Sequence, residues 1–384
     1  MIDGASEVNP VVRAPAKIVP ARASSVHDRG AVPVILRATE GEAAGARMHV
    51  GGLRVVDRAI RQLGRLRDAH VVIATDGSIP LPRRLPKNIE RREISGDVEA
   101  ALAALETELG EETTVVGADT VWLIAGRFEK GMRVEDAASR RAANDAVFRD
   151  LQRDAIGIID RLLNLKIATM LTRVLLVNLP VSPALLTLAG GFAGVYGALL
   201  IATGTSPNVL LGFLALQGYV IIDACAGALS RLRLHQSALA AWLATVVGDF
   251  VGVVSVLAVG RALWGHGGTF LDMKMALAAG GMLLLFAVIT YRELIRQGEG
   301  DITKLRWWFT YGQSLRTVSG SGSQTIKTLM ALGRHDVMVF VSLGLAVFDQ
   351  LWVVLLLMLI VAVTRAGAAL VQLLTPDWRI RPQM

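Results

Sequence analysis

Asp223 is the residue in this chain whose type and position point most directly to chemistry. It lies at one end of the apolar run 210–222, and Gly227 and Arg231 follow it in the same segment. A carboxylate inside a membrane-length segment costs about 2.5–3.5 kcal/mol of insertion free energy, so it is a functional candidate by default. The alternative is that Asp223 marks the end of a helix and is simply hydrated.

The distribution of apolar and charged residues predicts two different parts of the chain around these side chains. Hydrophobic residues make up 53% of the sequence and the mean hydropathy is +0.48, yet most of the charge precedes about residue 180. We therefore predict an α/β cytoplasmic domain followed by an all-α six-helix transmembrane domain. The predicted parts are a disordered tail over 1–30, the α/β domain over 31–150, an amphipathic interfacial helix over 151–180 and the membrane domain over 181–376.

Short apolar runs alternate with helical patterns in the region 31–150. Residues 32–36, 71–74 and 113–117 have the composition of strands, and residues 55–66 and 98–109 have the apolar spacing of helices. This alternation favours a parallel sheet, in which ligands bind at the carboxyl ends of the strands. Asp119 follows the third strand and is therefore expected at that edge.

The segment 156–176 has the pattern of a helix that lies on a membrane surface. Its apolar face carries Ile159, Leu162, Leu163, Ile167, Met170, Leu171, Val174 and Leu175. Its opposite, mostly basic face carries Asp160, Arg161, Asn164, Lys166 and Arg173. Such a division predicts an amphipathic helix on the inner membrane surface, and the alternative is an ordinary helix of a soluble domain.

Six apolar segments that follow this helix predict a multi-pass membrane protein. They cover about 183–203, 208–230, 238–262, 274–292, 335–349 and 351–374. Most Lys and Arg residues after residue 230 fall on one side of these spans, whereas Arg261 and Lys274 fall on the other. By the positive-inside rule the first side is cytoplasmic. Because residues 1–30 contain no apolar signal segment, we expect a protein of the inner (cytoplasmic) membrane with both termini in the cytoplasm.

Net charge and cysteine content narrow the classes of partner and site. The net charge of +7 comes with basic residues beside apolar segments, which favours a lipid membrane as the partner and not nucleic acid. Cys225 is the only cysteine, so a disulfide framework and a cysteine-rich metal site are excluded. Glycines at positions 190, 191, 194 and 197 predict close packing between helices.

The segment 223–231, DACAGALSR, resembles the signature of the CDP-alcohol phosphotransferase family, D-x-x-D-G-x-x-A-R-x8-G-x3-D-x3-D. Segments 181–188, 232–243 and 333–336 resemble further motifs of that family. Its members are six-helix membrane enzymes that transfer a phospho-alcohol from a CDP-alcohol to an acceptor hydroxyl and release CMP. The resemblance implies that Asp223, Gly227 and Arg231 bind a CDP-alcohol.

In the family signature, four carboxylates on two helices hold two divalent cations against a pyrophosphate. This chain keeps the first carboxylate, Asp223, but has Ala226, Ala244 and Gly248 at the other three positions. Asp249 comes next, although one residue turns a helical side chain by about 100°. The resemblance thus implies an Mg²⁺ or Mn²⁺ site on Asp223 and Asp249 if the chain is active. The replacement of three carboxylates counts against the family chemistry.

Residues 50–60 and 114–119 resemble two segments of sugar-nucleotide-type nucleotidyltransferases, which implies that Asp119 is the remnant of a metal ligand. Such enzymes grip a triphosphate with a glycine-rich loop and a lysine. Here the loop 37–47 contains Glu40 and Glu42, and no lysine follows before Gly51. A packed α/β unit that binds no nucleotide is the alternative. The order of the two resemblances is that of fusions in which a cytidylyltransferase supplies the membrane domain with its donor.

Two hypotheses for function follow. The first is a phospho-alcohol transferase of phospholipid or inositol-phosphate biosynthesis that works with Asp223, Arg231 and Asp249. The second is a non-catalytic protein that acts as partner or regulator of an active relative. The family resemblance implies a homodimer, or a heterodimer with such a relative.

Overall fold

The computed structural model describes residues 17–18, 32–66, 69–110, 112–122, 131–153, 159–234, 237–310 and 334–374. The chain divides into two units, Met1–Asp150 and Leu151–Met384, which are described separately. The predicted disordered tail over 1–30 lies outside the described residues except for Lys17–Ile18, which form a short strand.

The first unit contains the predicted parallel sheet. Its strands are β1 (Lys17–Ile18), β2 (Val32–Ala38), β3 (His49–Val50), β4 (Leu53–Arg54), β5 (Ala69–Thr75), β6 (Ile89–Ser95), β7 (Thr114–Gly117), β8 (Thr120–Trp122) and β9 (Gly131–Arg133). Five of them form one sheet in the order β1-β6-β5-β2-β7. Neighbours in this sheet are parallel, except that β1 runs antiparallel to β6. Strands β3 and β4 form an antiparallel pair, as do β8 and β9.

Helices cover both faces of this sheet. Helices α1 (Ala43–Arg47) and α2 (Val55–Leu63) lie on one face and α3 (Val98–Leu109) on the other. Helix α4 (Ala137–Arg153) follows β9. Because side chains alternate along a strand, Leu36 of β2 joins the core under α2, whereas Ile35 joins the core under α3. Asp97 caps α3, since its carboxylate accepts hydrogen bonds from the amides of Glu99 and Ala100.

The second unit is helical. Its helices are α5 (Leu165–Leu171), α6 (Pro183–Ala202), α7 (Ser206–Leu232), α8 (Ala238–Gly265), α9 (Phe270–Gln297), α10 (His335–Val347) and α11 (Leu351–Leu374). Within the described residues, α6, α7, α8, α9 and α11 are long and apolar enough to cross a membrane. Helix α10 has 13 residues, fewer than the roughly 20 that a span needs. The structure therefore has five candidate spans, which is compatible with a multi-pass membrane protein.

The predicted close packing at the glycines of α6 is confirmed. A Cβ atom built on Gly191 or Gly194 would lie less than 3.0 Å from a side chain of α8, Val247 or Val251. A Cβ on Gly197 would lie 2.6 Å from the carbonyl oxygen of Gly212 in α7. Such distances are shorter than ordinary van der Waals contacts, so only glycine fits at these positions without a shift of the helices.

The segment 159–176 is helical and packs against α7 through a face that the sequence pattern did not single out. Helix α5 is flanked by π-helical turns at Asp160–Asn164 and Thr172–Leu176. Asn164 is fully buried, and its side-chain oxygen accepts a hydrogen bond of 2.7 Å from Gln217 of α7. The apolar side chains Leu162, Met170, Leu171, Val174 and Leu175 are exposed in this unit. Asn164 was expected on the solvated basic face, and its burial corrects that expectation.

We predict that Gly212→Ala destabilises the helical unit. A Cβ on Gly212 would lie 2.5 Å from the carbonyl oxygen of Gly197, so α6 and α7 must separate, and we expect a loss of about 1–3 kcal/mol in the free energy of unfolding. The measurement is the thermal unfolding temperature of the purified protein in detergent. The control is Gly218→Ala on the same helix, because a Cβ there has no atom within 4 Å and alanine favours a helix. Equal unfolding temperatures for the two variants would contradict the close contact.

Candidate functional site

The three residues predicted to bind a CDP-alcohol line one cavity. Asp223, Gly227 and Arg231 face a cavity of about 520 Å³, which we call the signature cavity, and the start of α8 forms another part of its wall. A Cβ on Gly227 would meet no atom within 4 Å, so the wall is open at this position. The guanidinium of Arg231 donates a hydrogen bond to the carbonyl oxygen of Gly227, at 3.3 Å. The helical spacing thus brings an acidic and a basic side chain to the same space.

The positions that carry the other carboxylates in the family signature also face cavities. Ala226 and Ala244 line the signature cavity, and Gly248 lines an adjoining one. These three residues present no oxygen ligand. Groups without an oxygen ligand therefore stand at the three positions where the resemblance expects metal-binding oxygens.

Several charged residues of the signature cavity lie outside the signature and were missed by the sequence reading. They are Asp160, Glu299, Asp301, Lys304 and Arg334. The turn after α9 supplies three of them: Gly298 ends the helix with a left-handed backbone (φ 68°), and the chain then folds back. Asp301 caps that turn, because its carboxylate accepts hydrogen bonds from the amide and hydroxyl of Thr303 at 2.9 and 2.6 Å. No short-range pattern links these residues to α7.

The carboxylate of Asp223 has no hydrogen-bond or ion-pair partner within the described part of the chain. The carboxylates of Asp160 and Asp301 lie close enough to repel its charge. A carboxylate in such surroundings favours a bound cation or a proton. The prediction that Asp223 belongs to a site is therefore physically reasonable, but the site lacks fixed positive charge at this carboxylate.

Arg334 joins two acidic residues of different elements. Its guanidinium lies 2.6 Å from a carboxylate oxygen of Asp160 and 3.0 Å from one of Asp336. Burial raises the pKa of Asp160, the Asp336 carboxylate adds to this, and Arg334 and the Asn164 amide oppose it. Asp160 and Arg334 thus form a polar part of the wall that the two adjoining cavities share.

Asp249, the other predicted metal ligand, lines the second cavity of about 350 Å³ together with Asp223. The hydroxyl of Tyr291 donates a 2.9 Å hydrogen bond to Asp249, and Arg365 lies close enough to attract its charge. Within the described residues, no group of three or more His, Cys, Asp or Glu side chains is arranged to hold a metal ion. Since a two-metal site needs several converging oxygens, the residues present do not fit one.

Asp119 lies in the first unit, where its carboxylate is buried and held by an arginine. The guanidinium of Arg133 in β9 approaches Asp119 to 2.7 Å, and the hydroxyl of Thr120 donates a second, 3.3 Å hydrogen bond. The ion pair raises the pKa of Arg133. A guanidinium therefore neutralises the carboxylate that the resemblance assigns to a metal.

The segment 37–47, which corresponds to a triphosphate loop, is engaged in contacts with other parts of the chain. Buried Glu42 accepts hydrogen bonds from the amide and hydroxyl of Thr39 and forms an ion pair with Arg37 at 2.6 Å. A Cβ on Gly45 would lie less than 3.0 Å from the carbonyl oxygen of Val134, so the loop is packed tightly against the following strand region. A buried carboxylate at this place repels phosphate, which favours the alternative of an α/β unit that binds no nucleotide.

No family model matches this chain, and no curated protein matches it. The family resemblance therefore stays a prediction that depends on the residues described above.

We predict that Arg133→Ala lowers the free energy of unfolding by about 1–3 kcal/mol, because it leaves the buried carboxylate of Asp119 without its main donor. The measurement is the unfolding temperature of the full-length protein. The control is Arg91→Ala, which removes an arginine from an exposed pair with Glu93. Such surface pairs contribute only about 0–1 kcal/mol. An effect of Arg133→Ala no larger than that of the control would show that the pair does not stabilise the unit.

Proposed function

We propose that this protein is a multi-pass membrane protein of the CDP-alcohol phosphotransferase type that keeps the ligand cavity without the two-metal chemistry. In this proposal it binds a CDP-alcohol, or a ligand that shares its phosphate-bearing head, and acts as partner or regulator of an active relative. The first unit then serves as a folded cytoplasmic domain and has no nucleotidyltransferase activity.

The observation that carries the proposal is the convergence of the signature positions on one cavity. Asp223, Ala226, Gly227, Arg231 and Ala244 come from two helices, and all five line the signature cavity. A chance match to a sequence signature would not require its positions on α7 and α8 to face a common space. Three carboxylates of the signature are replaced at the same time, which supports binding over transfer.

Charge supports a phosphate-bearing ligand at one part of this cavity. Arg231, Lys304 and Arg334 line its wall together with the carboxylates of Asp160, Asp223, Glu299 and Asp301, so the support is local to the Arg231 end: Arg334 is engaged by Asp160 and Asp336, and Lys304 lies 3.7 Å from Glu299. Arginine side chains bind phosphate oxygens with two parallel hydrogen bonds. Arg231 projects from the same helix as Gly227, whose open side leaves room for a ligand beside the guanidinium.

A transferase is the second candidate, because Asp223 faces the cavity without a partner among the described residues, and Asp160 and Asp301 line the same cavity. Transfer would need a metal ion bound by these carboxylates, and the described residues offer no group of three ligands for it. The two candidates differ in one measurable property, which is release of CMP that depends on Mg²⁺ or Mn²⁺.

We predict that restoring the missing carboxylates creates a metal site. The variant Ala226→Asp/Ala244→Asp/Gly248→Asp should bind Mn²⁺, detected by electron paramagnetic resonance, whereas the unmodified protein should not. The new side chain at Gly248 has room, since a Cβ there would lie 3.4 Å from the Tyr219 hydroxyl. CMP release is assayed in parallel with Mn²⁺ and a panel of CDP-alcohols, and the unmodified protein is expected to release none.

The matched control places asparagine at the same three positions, which gives nearly the same shape without charge. Unfolding temperatures of both variants are compared to exclude misfolding. Failure of a folded Asp variant to bind more Mn²⁺ than the Asn variant would contradict the register of the signature. Metal-dependent CMP release by the unmodified protein that is lost in Asp223→Asn would contradict the non-catalytic function and favour the transferase.

The proposed topology makes a separate prediction. Arg261 and Lys274 flank the loop around Gly267, whereas Arg292 and Arg296 precede Gly298, so we propose that Gly298 lies on the cytoplasmic side and Gly267 on the outer side. Alkaline phosphatase, which is active only outside the cytoplasm, should be active when fused after Gly267 and inactive when fused after Gly298. The reverse pattern would contradict the orientation, and activity at both points would contradict α9 as a span.

A further inference from the structure

The second cavity contains polar atoms that the described chain leaves without partners. Asp336 is 5% exposed, and its Oδ2 atom is buried with no hydrogen bond, while its Oδ1 atom accepts one from Arg334. The Nε2 atom of His335 and the Nε1 atom of Trp307 are likewise buried without partners. All three side chains line this cavity. Because a buried polar group without a hydrogen bond is costly, these atoms favour a polar molecule in this cavity.

Negative charge exceeds positive charge around the second cavity. Its described lining includes four carboxylates, of Asp160, Asp223, Asp249 and Asp336, and two guanidiniums, of Arg334 and Arg365. Arg334 forms ion pairs with both Asp160 and Asp336, and the positive charge of Arg365 attracts the carboxylate of Asp249. Within the described residues, no positive group is paired with Asp223. This charge distribution repels an anion and leaves two acceptors, Asp223 and Oδ2 of Asp336, for a cation.

The remaining wall is apolar and aromatic. Phe286 and Trp307 are nearly fully buried and stack with their ring planes 7° apart and their centroids separated by 6.2 Å. Tyr219 packs edge-on against His335 at 5.4 Å, and Val220 and Leu283 complete this side. Aromatic faces attract cations, as the guanidinium of Arg365 shows by lying 5.5 Å from the ring centre of Phe286.

We propose that the second cavity binds a primary ammonium group attached to an apolar substituent, that is, a small amphiphilic amine. The ammonium donates hydrogen bonds to Oδ2 of Asp336 and to the carboxylate of Asp223, and the apolar substituent lies against Phe286 and Leu283. An ammonium has three donors and no acceptor, so it suits two carboxylates better than a hydroxyl group does. Asp249, His335 and Asp336 line this cavity and not the signature cavity, whereas Asp223 lines both, so Asp336 is the carboxylate that distinguishes the amine site from the proposed CDP-alcohol site.

The test is equilibrium dialysis of radiolabelled 2-phenylethylamine against full-length protein in phosphatidylcholine nanodiscs at neutral pH, with empty nanodiscs as the blank. We expect saturable binding. Propylbenzene, which has a methyl in place of the ammonium, and the anion 3-phenylpropanoate should not compete. Asp336→Asn should weaken binding by about 10- to 100-fold, because it removes a charge-assisted hydrogen bond and keeps the shape.

The matched control is Asp349→Asn, the same change at an exposed residue beyond the other end of α10, which should leave binding unchanged. Asp223→Asn is a second variant, chosen because this carboxylate holds no described partner and its loss should not disturb the fold; it should weaken binding as well. Absence of saturable binding to the unmodified protein would overturn the proposal. So would competition by 3-phenylpropanoate, or unchanged binding by both Asp336→Asn and Asp223→Asn.

Discussion

The two adjoining cavities depend on the ion pairs that the guanidinium of Arg334 forms. This guanidinium connects Asp160, in the helical segment before the candidate spans, with Asp336 at the start of α10. An ion pair away from bulk water is stable only when both charges are matched, and removing one partner leaves the other uncompensated. Arg334 therefore bridges the segment 159–176 and α10, both of which also pack against α7. This bridge forms part of the wall shared by the two cavities, which Asp223 also lines.

Both units contain the same kind of ion pair. In each, an arginine pairs with an acidic side chain near a position that the family resemblances assign to metal ions. In the first unit Arg133 holds Asp119, and in the second Arg334 holds Asp160 and Asp336. A guanidinium is a permanent part of the chain, with a fixed geometry and a single charge. A divalent cation brings two charges and leaves coordination positions open for substrate. Under the proposed non-catalytic function, such guanidiniums stabilise the fold and offer a phosphate no open coordination position.

The fold was largely predictable because its signals are local. The alternation of strands and helices in 31–150 and the long apolar segments after residue 180 are read from periodicity and length, and both appear in the structure. The fifth predicted segment, 335–349, corresponds to α10, which is too short for a span; it begins with His335 and Asp336, which line the second cavity. The location of Asp223, Gly227 and Arg231 in one cavity was predictable for the same reason, since all three share one helix face.

The rest of the site depends on contacts distant in sequence. Asp301 reaches the signature cavity only because the left-handed Gly298 reverses the chain after α9. Arg334 and Asp160 are paired across 174 residues. The partners of Asp119 and Glu42 likewise depend on how the strand β9 and the loop before α1 fold back. None of these pairings has a spacing that a helix or strand period would reveal, because tertiary packing brings the charged groups together.

The buried hydrogen bond between Gln217 and Asn164 has a mechanical consequence. Amide groups bond in fixed directions and cannot be left unpaired without cost, so this contact locks the longitudinal register of the segment 159–176 against α7. A sliding motion would break this bond and bring exposed Lys166 toward the apolar helix. Arg233, at the end of α7, donates a hydrogen bond of 3.2 Å to the carbonyl oxygen of Leu176 and so holds the far end of the same segment. The segment is therefore fixed along α7 at two points.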